Sequence, residues 1–462
     1  MSCCHLTLWI NNLDFLWSKM NIAIFNKENI SLRFREWLLL ACIFLILRGS
    51  AALLLEALFY IEKDVDWYAT IARNLLAGHG FVITPGGETI LWRGPVYPLF
   101  LAFIWQLAGD TANYGVILIA QILLDTATAL LIVCIGKHFF GNKTGLLAAL
   151  IFVVYPISVY YCPRFLPTTL YTFFITFVVA TLIFGRVDSK IWQFLLSGFF
   201  AGIAALIKAS AIYLIPFITL VWIVKYRNNW RKITFPVIVF LLGASIVLVP
   251  WGVRNYMHTG IFSVSGTSGG YSLWLATRID SEGREEEELE GEMLEDYLAK
   301  RQEIVKSVRL ATGLDSEQGT GTISWDDNEA FQRVALNQIR DNWYELAKIS
   351  MHKAYRFWFE IYHLDNRWAR IYIFLMQLVL LSFAVWGGGV AWRNKIDVFP
   401  VVTTIGYFTL LHSVSISTLR YSVPLIPLVS IFTSAGFLAM LSHLTSRHNY
   451  QRPSSLNKTI NS

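Results

Sequence analysis

The sequence predicts an all-α polytopic membrane protein that crosses the bilayer about ten times. Hydrophobic residues make up 55% of the 462 positions, whereas charged residues make up only 15%. A soluble domain averages about 25% charged residues, so this chain has too few charges to cover a water-exposed surface of its size. Most of its Lys and Arg residues lie in short gaps between apolar runs and are not clustered on one soluble face, which argues against nucleic acid as a partner.

Ten apolar runs of approximately spanning length define the predicted transmembrane helices. They cover residues 37–60, 112–136, 144–161, 166–185, 191–207, 209–225, 233–251, 369–391, 397–415 and 422–443. The apolar stretch 95–108 is shorter, and counting it as a span would break the alternation of charge between the gaps. We therefore predict that it forms an interfacial helix, which lies on the membrane or dips into it.

The distribution of Lys and Arg predicts the orientation of the chain. Basic residues are concentrated before the first span, in every second gap and in the C-terminal tail. The positive-inside rule then places both termini, residues 1–36 and 444–462, in the cytoplasm. We expect a multi-pass protein of a cell membrane, the bacterial inner membrane, in contact with membrane lipids. The other predicted domains are a transmembrane catalytic module, 37–251, with an outer loop at 61–111, an outer-face loop domain, 252–368, and the C-terminal spans, 369–443.

The outer-face loop domain is predicted to be mostly helical. Its acidic run at 285–288 continues to Glu290, Glu292, Glu295 and Asp296, and a solvated helix face explains such a run. From Ser324 to residue 349 apolar residues recur at helical spacing, and Ser324 with Asp327 can cap the helix. We predict one helix here, packed against the membrane domain. Its repeating apolar positions are Phe331, Val334, Ala335, Ile339, Trp343 and Leu346.

The first outer loop combines acids, glycines and an arginine. Asp64, Asp66 and Tyr68 open a helical stretch, glycines follow, and Arg93 and Tyr97 lead back to the membrane. A carboxylate at a membrane surface can deprotonate an acceptor hydroxyl or hold a divalent cation, and an arginine can bind a phosphate through two hydrogen bonds. The alternative is structural, because acids also stabilise a helix N-terminus and glycines make turns.

Five short motifs follow one another along the chain. Residues 64–81 read D-x-x-x-Y-x-x-x-A-R-N-L-x-x-G-x-G-F, and residues 93–98 read R-G-P-V-Y-P. The others are Gln121 to Asp125 with Gly136, Gly141 and Gly145; Pro250 and Trp251 with Arg254, Asn255, Tyr256 and Gly260; and Arg420 and Tyr421 with Pro424 and Pro427. Together they resemble the GT-C-fold glycosyltransferases, which include the protein O-mannosyltransferases and the lipid A aminoarabinose transferases. The resemblance covers residues 40–445 and implies the GT-C fold.

The resemblance also implies which residues carry the chemistry. Asp64 takes the position of the acid that such enzymes use as catalytic base or to orient the acceptor, and Asp66 is a second candidate. The two acids can instead hold a divalent cation, so the cofactor is either none or one such ion. The residues expected to bind the donor phosphate are Arg93, Arg254, Arg420 and Lys208, and the further substrate-site candidates are Tyr68, Tyr97 and Tyr421.

Each of these cations also has a structural alternative. Arg93 and Arg420 can extend to lipid headgroups, Arg254 can anchor the end of a helix, and Lys208 can mark a turn between two spans. The sequence departs from the resemblance in the second outer turn, where many relatives carry an acid and residues 166–170 read Leu-Pro-Thr-Thr-Leu. The metal requirement and the acceptor class therefore stay open.

Four further ionisable residues lie within or near predicted spans: Arg48, Glu56, Asp125 and His412. A charge inside a membrane is costly and is usually paired or functional. We interpret these four as structural polar contacts between helices.

The function that the resemblance implies is glycosyl transfer. A hexosyl or pentosyl group would move, with inversion, from a polyprenyl-phosphate carrier to a lipid, glycan or protein acceptor on the outer face of the membrane. A transporter or flippase for a lipid-linked sugar is the alternative, because its phosphate would bind the same basic groups. A catalytically inactive scaffold is the third interpretation.

Overall fold

The computed structural model describes residues 33–58, 64, 67–111, 113–185, 191–264, 266, 268–281, 284, 289, 291–312, 325–361 and 366–450. Within these ranges the secondary structure is helical and contains no strand. The helices are α1 Phe34–Leu58, α2 Tyr68–Leu76, α3 Val96–Ala108, α4 Tyr114–Phe140, α5 Asn142–Val154, α6 Pro156–Tyr161, α7 Thr168–Phe184, α8 Ile191–Ile207, α9 Leu214–Lys225, α10 Trp230–Thr259, α11 Gly269–Thr277, α12 Glu292–Thr312, α13 Trp325–Asp341, α14 Trp343–Phe359, α15 Arg367–Arg393, α16 Phe399–Val414 and α17 Ile426–Tyr450. Three 3₁₀ helices, Ala209–Ala211, Arg227–Asn229 and Leu419–Leu425, precede α9, α10 and α17.

Apolar helices make up most of the described chain. Within the described residues each predicted apolar run is largely helical, so the all-α polytopic fold class is confirmed. The stretch 95–108, predicted as an interfacial helix, forms α3. In the described part of the chain, five helical segments are long and apolar enough to cross a membrane: Arg35–Leu55, Tyr114–Phe140, Arg227–Thr259, Arg367–Arg393 and Leu419–Leu444. Six apolar helical segments are shorter: Val96–Ala108, Asn142–Val154, Thr168–Phe184, Ile191–Ile207, Ala209–Lys225 and Phe399–Val414.

The run 144–161 does not form the single helix that its apolar composition predicts. α5 ends at Val154 and α6 begins at Pro156, and Tyr155 between them is extended (φ −63°, ψ 114°). A proline ring disfavours the α conformation of the residue before it, whereas proline suits the first position of a new helix. The break leaves the short α6 to carry two tyrosines, Tyr160 and Tyr161, to the turn that follows it.

A buried ion pair joins α1 to α4 inside the bundle. Arg48 is completely buried, and its Nε donates to Oδ2 of Asp125 at 2.7 Å. The same guanidinium donates to the carbonyl oxygen of Val153 at 2.9 Å and to Oγ of Ser158 at 2.8 Å. Arg48 and Asp125 thus make the structural contact that was expected of them. The side chain of Glu56 lies outside the described residues.

α8 and α10 cross with their backbones in contact. A Cβ atom on Gly198 of α8 would lie 1.8 Å from the carbonyl oxygen of Phe240. A Cβ atom on Gly243 of α10 would lie 2.2 Å from the carbonyl oxygen of Leu195. Any larger residue at either glycine would therefore push the two helices apart.

The prediction of one helix from Ser324 to residue 349 is wrong, because two helices occupy this region. α13 ends at Asp341, and Asn342 leaves the helical conformation (φ −127°, ψ 27°) before α14 begins. Asparagine is a poor residue for a helix interior, since its side chain competes for backbone hydrogen bonds. Trp343, one of the apolar positions that repeat at helical spacing, is 67% exposed. Ser324, residues 285–288 and Glu290 lie outside the described residues.

The two helices have different partners. α13 packs against α11, and with α12 they share a small core built around Trp274, Tyr297 and Phe331. α14 instead packs against α16 and the 3₁₀ helix Leu419–Leu425. A buried lysine ties the two groups together, because Nζ of Lys353 on α14 donates to the carbonyl oxygen of Ala276 in the last turn of α11. The expected packing against the membrane helices thus belongs to α14.

Candidate active site

Asp64 lies at the N-terminal end of α2. Its Oδ1 accepts a hydrogen bond from the backbone N–H of Ala69 at 2.9 Å, and its Oδ2 accepts from the N–H and hydroxyl of Thr70 at 3.0 Å and 2.9 Å. The side chain of the N-cap residue Trp67 does not cap the helix, so Asp64 supplies acceptors that the helix start needs. A carboxylate has about four lone-pair sites, so this half-buried group is oriented and can still accept a proton. Asp66 lies outside the described residues.

Tyr68 connects α2 to the arginine at the end of the first loop. Cζ of Arg93 lies 5.1 Å from the centroid of the Tyr68 ring and 4.4 Å from that of Trp92. Tyr68 also meets Tyr97 of α3 edge to face, with ring centroids 5.2 Å apart. Both tyrosines are buried. The acid, the arginine and the two tyrosines that the motifs predict are therefore neighbours.

The turn between α6 and α7 adds Arg164, which no sequence motif singles out. Its Cζ lies 4.0 Å from the centroid of the Tyr160 ring and 5.7 Å from that of Tyr161, and its Nη2 donates to the Tyr160 hydroxyl. The Tyr97 hydroxyl and Nε2 of Gln121 both donate to the Arg164 carbonyl oxygen, at 3.5 Å and 3.0 Å. Arg164 is thus tied to α3 and α4 through its backbone and to α6 through its side chain.

Arg420 and Tyr421 reach the same region from the 3₁₀ helix before α17. Cζ of Arg420 lies 5.7 Å from the centroid of the Tyr161 ring. Lys208, which follows α8, places its Nζ 3.3 Å from the centroid of the Tyr421 ring. His412 of α16 stacks on Tyr421 with ring centroids 4.8 Å apart. Together with Arg93 and Arg164, cations from four separate segments of the chain therefore lie over tyrosine rings.

Gly94 brings the loop that carries Arg93 onto the end of α8, next to Lys208. A Cβ atom on Gly94 would lie 2.1 Å from the carbonyl oxygen of Leu206 and 3.0 Å from that of Ile207, so only glycine fits.

We use the name cation–tyrosine cluster for the following pairs: Arg93 over Tyr68, Arg164 over Tyr160, Arg420 over Tyr161 and Lys208 over Tyr421.

Arg254 lies in an adjoining pocket near the end of α10, which continues past the predicted end of its span at residue 251. Its Cζ lies 4.7 Å from the centroid of the Trp251 ring. The pocket has a volume of about 310 Å³, and His79 and His258 also line it. Trp251 packs in the same hydrophobic cluster as Trp92, which connects the pocket to the loop of the first arginine.

A divalent cation takes several oxygen ligands, and Asp64 contributes a single carboxylate here. Among the described residues, no group of three His, Cys, Asp or Glu side chains is placed to hold a metal ion. The turn into α7 brings Thr168 and Thr169 near Arg164 along the chain, but no acid. The described residues by themselves therefore do not form a site for such an ion.

The bundle has the architecture of a known class of membrane enzymes. It resembles the oligosaccharyltransferase AglB from Archaeoglobus fulgidus in complex with an inhibitory peptide and a dolichol-phosphate, with a TM-score of 0.54 and 10% sequence identity. The match covers 91% of this chain and 52% of AglB, so the chain spans about half the length of that protein. The apo form of the Archaeoglobus fulgidus oligosaccharyltransferase matches equally, at a TM-score of 0.54, 10% identity, and 90% and 51% coverage. The chain therefore has the GT-C fold of membrane glycosyltransferases.

One segment of the sequence also matches a known protein family. Residues 92–253 match the family of dolichyl-phosphate-mannose-protein mannosyltransferases, a segment that covers less than half of the chain. The chain also aligns with ArnT from Cupriavidus metallidurans bound to undecaprenyl phosphate, at a TM-score of 0.39 and 14% identity, over 90% of this chain and 81% of ArnT. No curated protein sequence matches significantly. The predicted resemblance to GT-C-fold glycosyltransferases is confirmed.

Proposed function

We propose that the protein is a membrane glycosyltransferase, which transfers a sugar from a polyprenyl-phosphate carrier to an acceptor on the outer face of a bacterial inner membrane. The observation that carries this proposal is the convergence of one oriented carboxylate, Asp64, with four tyrosine-covered cations in one region of an apolar helix bundle. The fold shared with AglB, which was solved with a dolichol-phosphate, supports the same class of lipid-phosphate donor. In this proposal both termini are cytoplasmic, as the charge distribution predicts.

Asp64 would act on the acceptor. The acceptor hydroxyl or amine gives its proton to the Asp64 carboxylate while its oxygen or nitrogen attacks the anomeric carbon of the sugar. The bond between that carbon and the phosphate oxygen breaks, and its electron pair leaves with the phosphate. A single displacement of this kind inverts the configuration of the transferred hexosyl or pentosyl group.

The cations would stabilise the leaving phosphate, on which negative charge develops in the transition state. Arg93, Lys208 and Arg420 belong to the cation–tyrosine cluster, and Arg254 faces the adjoining pocket. An arginine that stacks on an aromatic ring keeps its charge, and the N–H donors in the guanidinium plane can still bind phosphate. The rings would therefore position the cations without neutralising them.

The alternative of a transporter for a lipid-linked sugar has less support. Asp125 is the intramembrane acid that would mark a transport path, and its carboxylate is hydrogen-bonded to Arg48. The proposed transferase is compatible with a lipid, a glycan or a protein as its acceptor.

The test is transfer of a radiolabelled sugar by protein purified in detergent. Several polyprenyl-phosphate sugars are offered with a membrane extract as acceptor, and wild type is compared with Asp64→Asn. We expect the variant to lose at least about 100-fold in rate, the lower end of the contribution of a general base. The matched control is Asp341→Asn, at an exposed acid on α13, which should transfer at the wild-type rate.

Each outcome separates the hypotheses. An equal rate for wild type and Asp64→Asn, with both folded, would remove Asp64 from the mechanism and direct attention to Asp66. If wild type transferred no label from any donor but moved lipid-linked sugar across a liposome membrane, the transferase proposal would be wrong and the transporter alternative correct.

A further inference from the structure

The segment between α16 and α17 is fastened to α14 by two hydrogen bonds. Oγ of Ser417 donates to the carbonyl oxygen of Lys353 at 2.6 Å. The backbone N–H of Leu419 donates to the carbonyl oxygen of Glu360 at 3.2 Å. Ser417 and Leu419 are both completely buried. Tyr421, which follows two residues later, therefore extends from a backbone that α14 holds in place.

Three aromatic rings stack one on another from α14 to Tyr421. Phe357 of α14 lies against His412 of α16, with ring centroids 5.2 Å apart and ring planes 13° apart. His412 lies against Tyr421, with centroids 4.8 Å apart and planes 18° apart. Phe357 and His412 are buried, whereas Tyr421 is half-buried. Stacked rings attract each other in addition to the area that they bury, so the position of the Tyr421 ring depends on the two buried rings.

A hydrogen bond fixes the orientation of the His412 ring. Its Nδ1 lies 2.8 Å from the carbonyl oxygen of Ile416. A carbonyl oxygen can only accept, so Nδ1 carries a proton and donates it. α16 ends at Val414, and the hydrogen bond therefore connects the ring to the backbone beyond the helix. The imidazole is thus held by stacking on its faces and by a hydrogen bond at its edge.

Tyr421 transmits this order to a cation of the cation–tyrosine cluster. Nζ of Lys208 lies 3.3 Å from the centroid of the Tyr421 ring. A lysine side chain has a flexible stem of four carbons, and fixing it in one conformation costs side-chain entropy. A ring that is already in place offsets part of this cost before a ligand binds.

We propose that His412 and Phe357 are positioning residues for the donor phosphate and that they act through Tyr421 and Lys208. The inference rests on the proposed transferase function, in which Lys208 binds that phosphate. His412 and Phe357 contact neither the sugar nor the phosphate, and instead determine where the ammonium group lies. α14, which belongs to the predicted outer-face loop domain, thereby takes part in binding the donor.

The first test is the binding of a lipid phosphate, which needs no turnover. Displacement of a labelled polyprenyl phosphate by the unlabelled lipid is measured in detergent for wild type, His412→Ala and His412→Phe. We expect His412→Ala to weaken binding about 5- to 10-fold, the value of one well-placed contact between a cation and a ring. His412→Phe should stay within about 2-fold of wild type, because it keeps the stacked ring. Equal losses in the two variants would overturn the stacking role.

The second test establishes whether His412 acts through Lys208. Binding is compared for His412→Ala, Lys208→Met and the double variant. If the histidine acts through the lysine, the double variant should bind within about 2-fold of Lys208→Met, because the contribution of His412 is already lost. Independent contributions would instead multiply, and that result would contradict the proposal.

Phe357 provides a second variant, which leaves α16 unchanged. Phe357→Leu keeps an apolar side chain but removes the ring, and it should weaken binding about 3-fold in the presence of Lys208 and not in its absence. The matched control is Phe44→Leu, which should bind as wild type does. Phe44 is also almost completely buried, and it lies on α1, which packs against α4, α5 and α6.

The proposal fails if folded His412→Ala and Phe357→Leu bind polyprenyl phosphate as tightly as wild type, or if Lys208→Met does so. In either case wild type still binds the lipid phosphate and transfers sugar, so the proposed function stands without these positioning residues. If wild type neither binds polyprenyl phosphate nor transfers sugar, the proposed function is wrong and the positioning role is wrong with it.

Discussion

Positive charge lies in two different kinds of surroundings in this protein, one completely buried and one half-buried. In the bundle interior, Arg48 is satisfied by a carboxylate, a carbonyl oxygen and a hydroxyl, and it is completely buried. In the half-buried cation–tyrosine cluster, each cation lies over a tyrosine ring. A carboxylate neutralises an arginine and uses its donors, whereas a ring attracts the cation through its face and leaves the charge in place. The first arrangement stabilises the fold, and in the proposed function the second presents its cations to the donor phosphate.

The prediction with the largest expected effect removes one partner of the buried ion pair between Arg48 and Asp125. Asp125→Ala should lower the free energy of unfolding by about 3–5 kcal/mol, because it leaves the Arg48 charge buried without its partner. The measurement is chemical or thermal unfolding in detergent.

The matched control removes both charges, as Arg48→Met with Asp125→Leu. This double variant should recover most of the stability, since apolar residues of similar volume often replace a buried ion pair at little cost. A double variant as unstable as Asp125→Ala would show that the hydrogen bonds of Arg48 to Val153 and Ser158 carry the stabilisation instead.

The second prediction removes one cation, Arg93, from the cation–tyrosine cluster. Arg93→Gln should slow sugar transfer about 100- to 1,000-fold, the usual cost of removing one group that stabilises developing charge. Its free energy of unfolding should fall by only about 1 kcal/mol, the value of a cation–π contact. Transfer rate and unfolding are measured on the same preparation. A loss of stability as large as that of Asp125→Ala would make Arg93 structural and erase the contrast.

The third and smallest prediction concerns a further buried cation, in the segment between α10 and α15. Lys353 is 2% exposed and donates to the carbonyl oxygen of Ala276. Burial, with a smaller contribution from Arg356, lowers the pKa of Lys353 to about 8. Between that pH and about 10.4, the pKa of an unfolded lysine, the folded protein binds fewer protons than the unfolded chain. Its stability should therefore rise with pH across this window.

The measurement is the free energy of unfolding at about pH 8 and about pH 9.5, where we expect a rise of roughly 1–2 kcal/mol. Lys353→Met should remove the rise. Lys348→Met is the control on the same helix, because Lys348 is exposed and pairs with Glu345. A rise that persists in Lys353→Met would assign the pH dependence to another group.

Much of the fold is predictable because lipid imposes one strong requirement, a long apolar segment with internally satisfied backbone. Within the described residues the ten apolar runs are largely helical, although several of the helices are shorter than a full span. Hydropathy does not predict helix breaks, because the residues on both sides of a break are equally apolar. Tyr155 therefore escapes prediction, although Pro156 marks the break. Asn342 escapes because its flanking apolar residues keep helical spacing across the interruption.

The candidate site is predictable only where residues belong to motifs. Asp64, Arg93 and Arg420 are reached in this way, and their neighbours Tyr68 and Tyr421 with them. Arg164 is a lone arginine in a turn, with no spacing that distinguishes it from a charge at a membrane boundary. Its place in the candidate site depends on contacts with Tyr97 and Gln121, which are distant in sequence, and with Tyr160, which belongs to no motif.

The glycine crossing of α8 and α10 makes the spacing of the site depend on a point far from it. Lys208 follows α8, and Arg254 lies near the end of α10. At a rise of about 1.5 Å per residue, both lie roughly 15 Å along their helices from Gly198 and Gly243. A methyl group inserted at the crossing would alter the separation of Lys208 and Arg254, the two proposed phosphate ligands, without touching either residue. The distance of a substituted residue from the candidate site therefore does not predict how strongly the substitution affects that site.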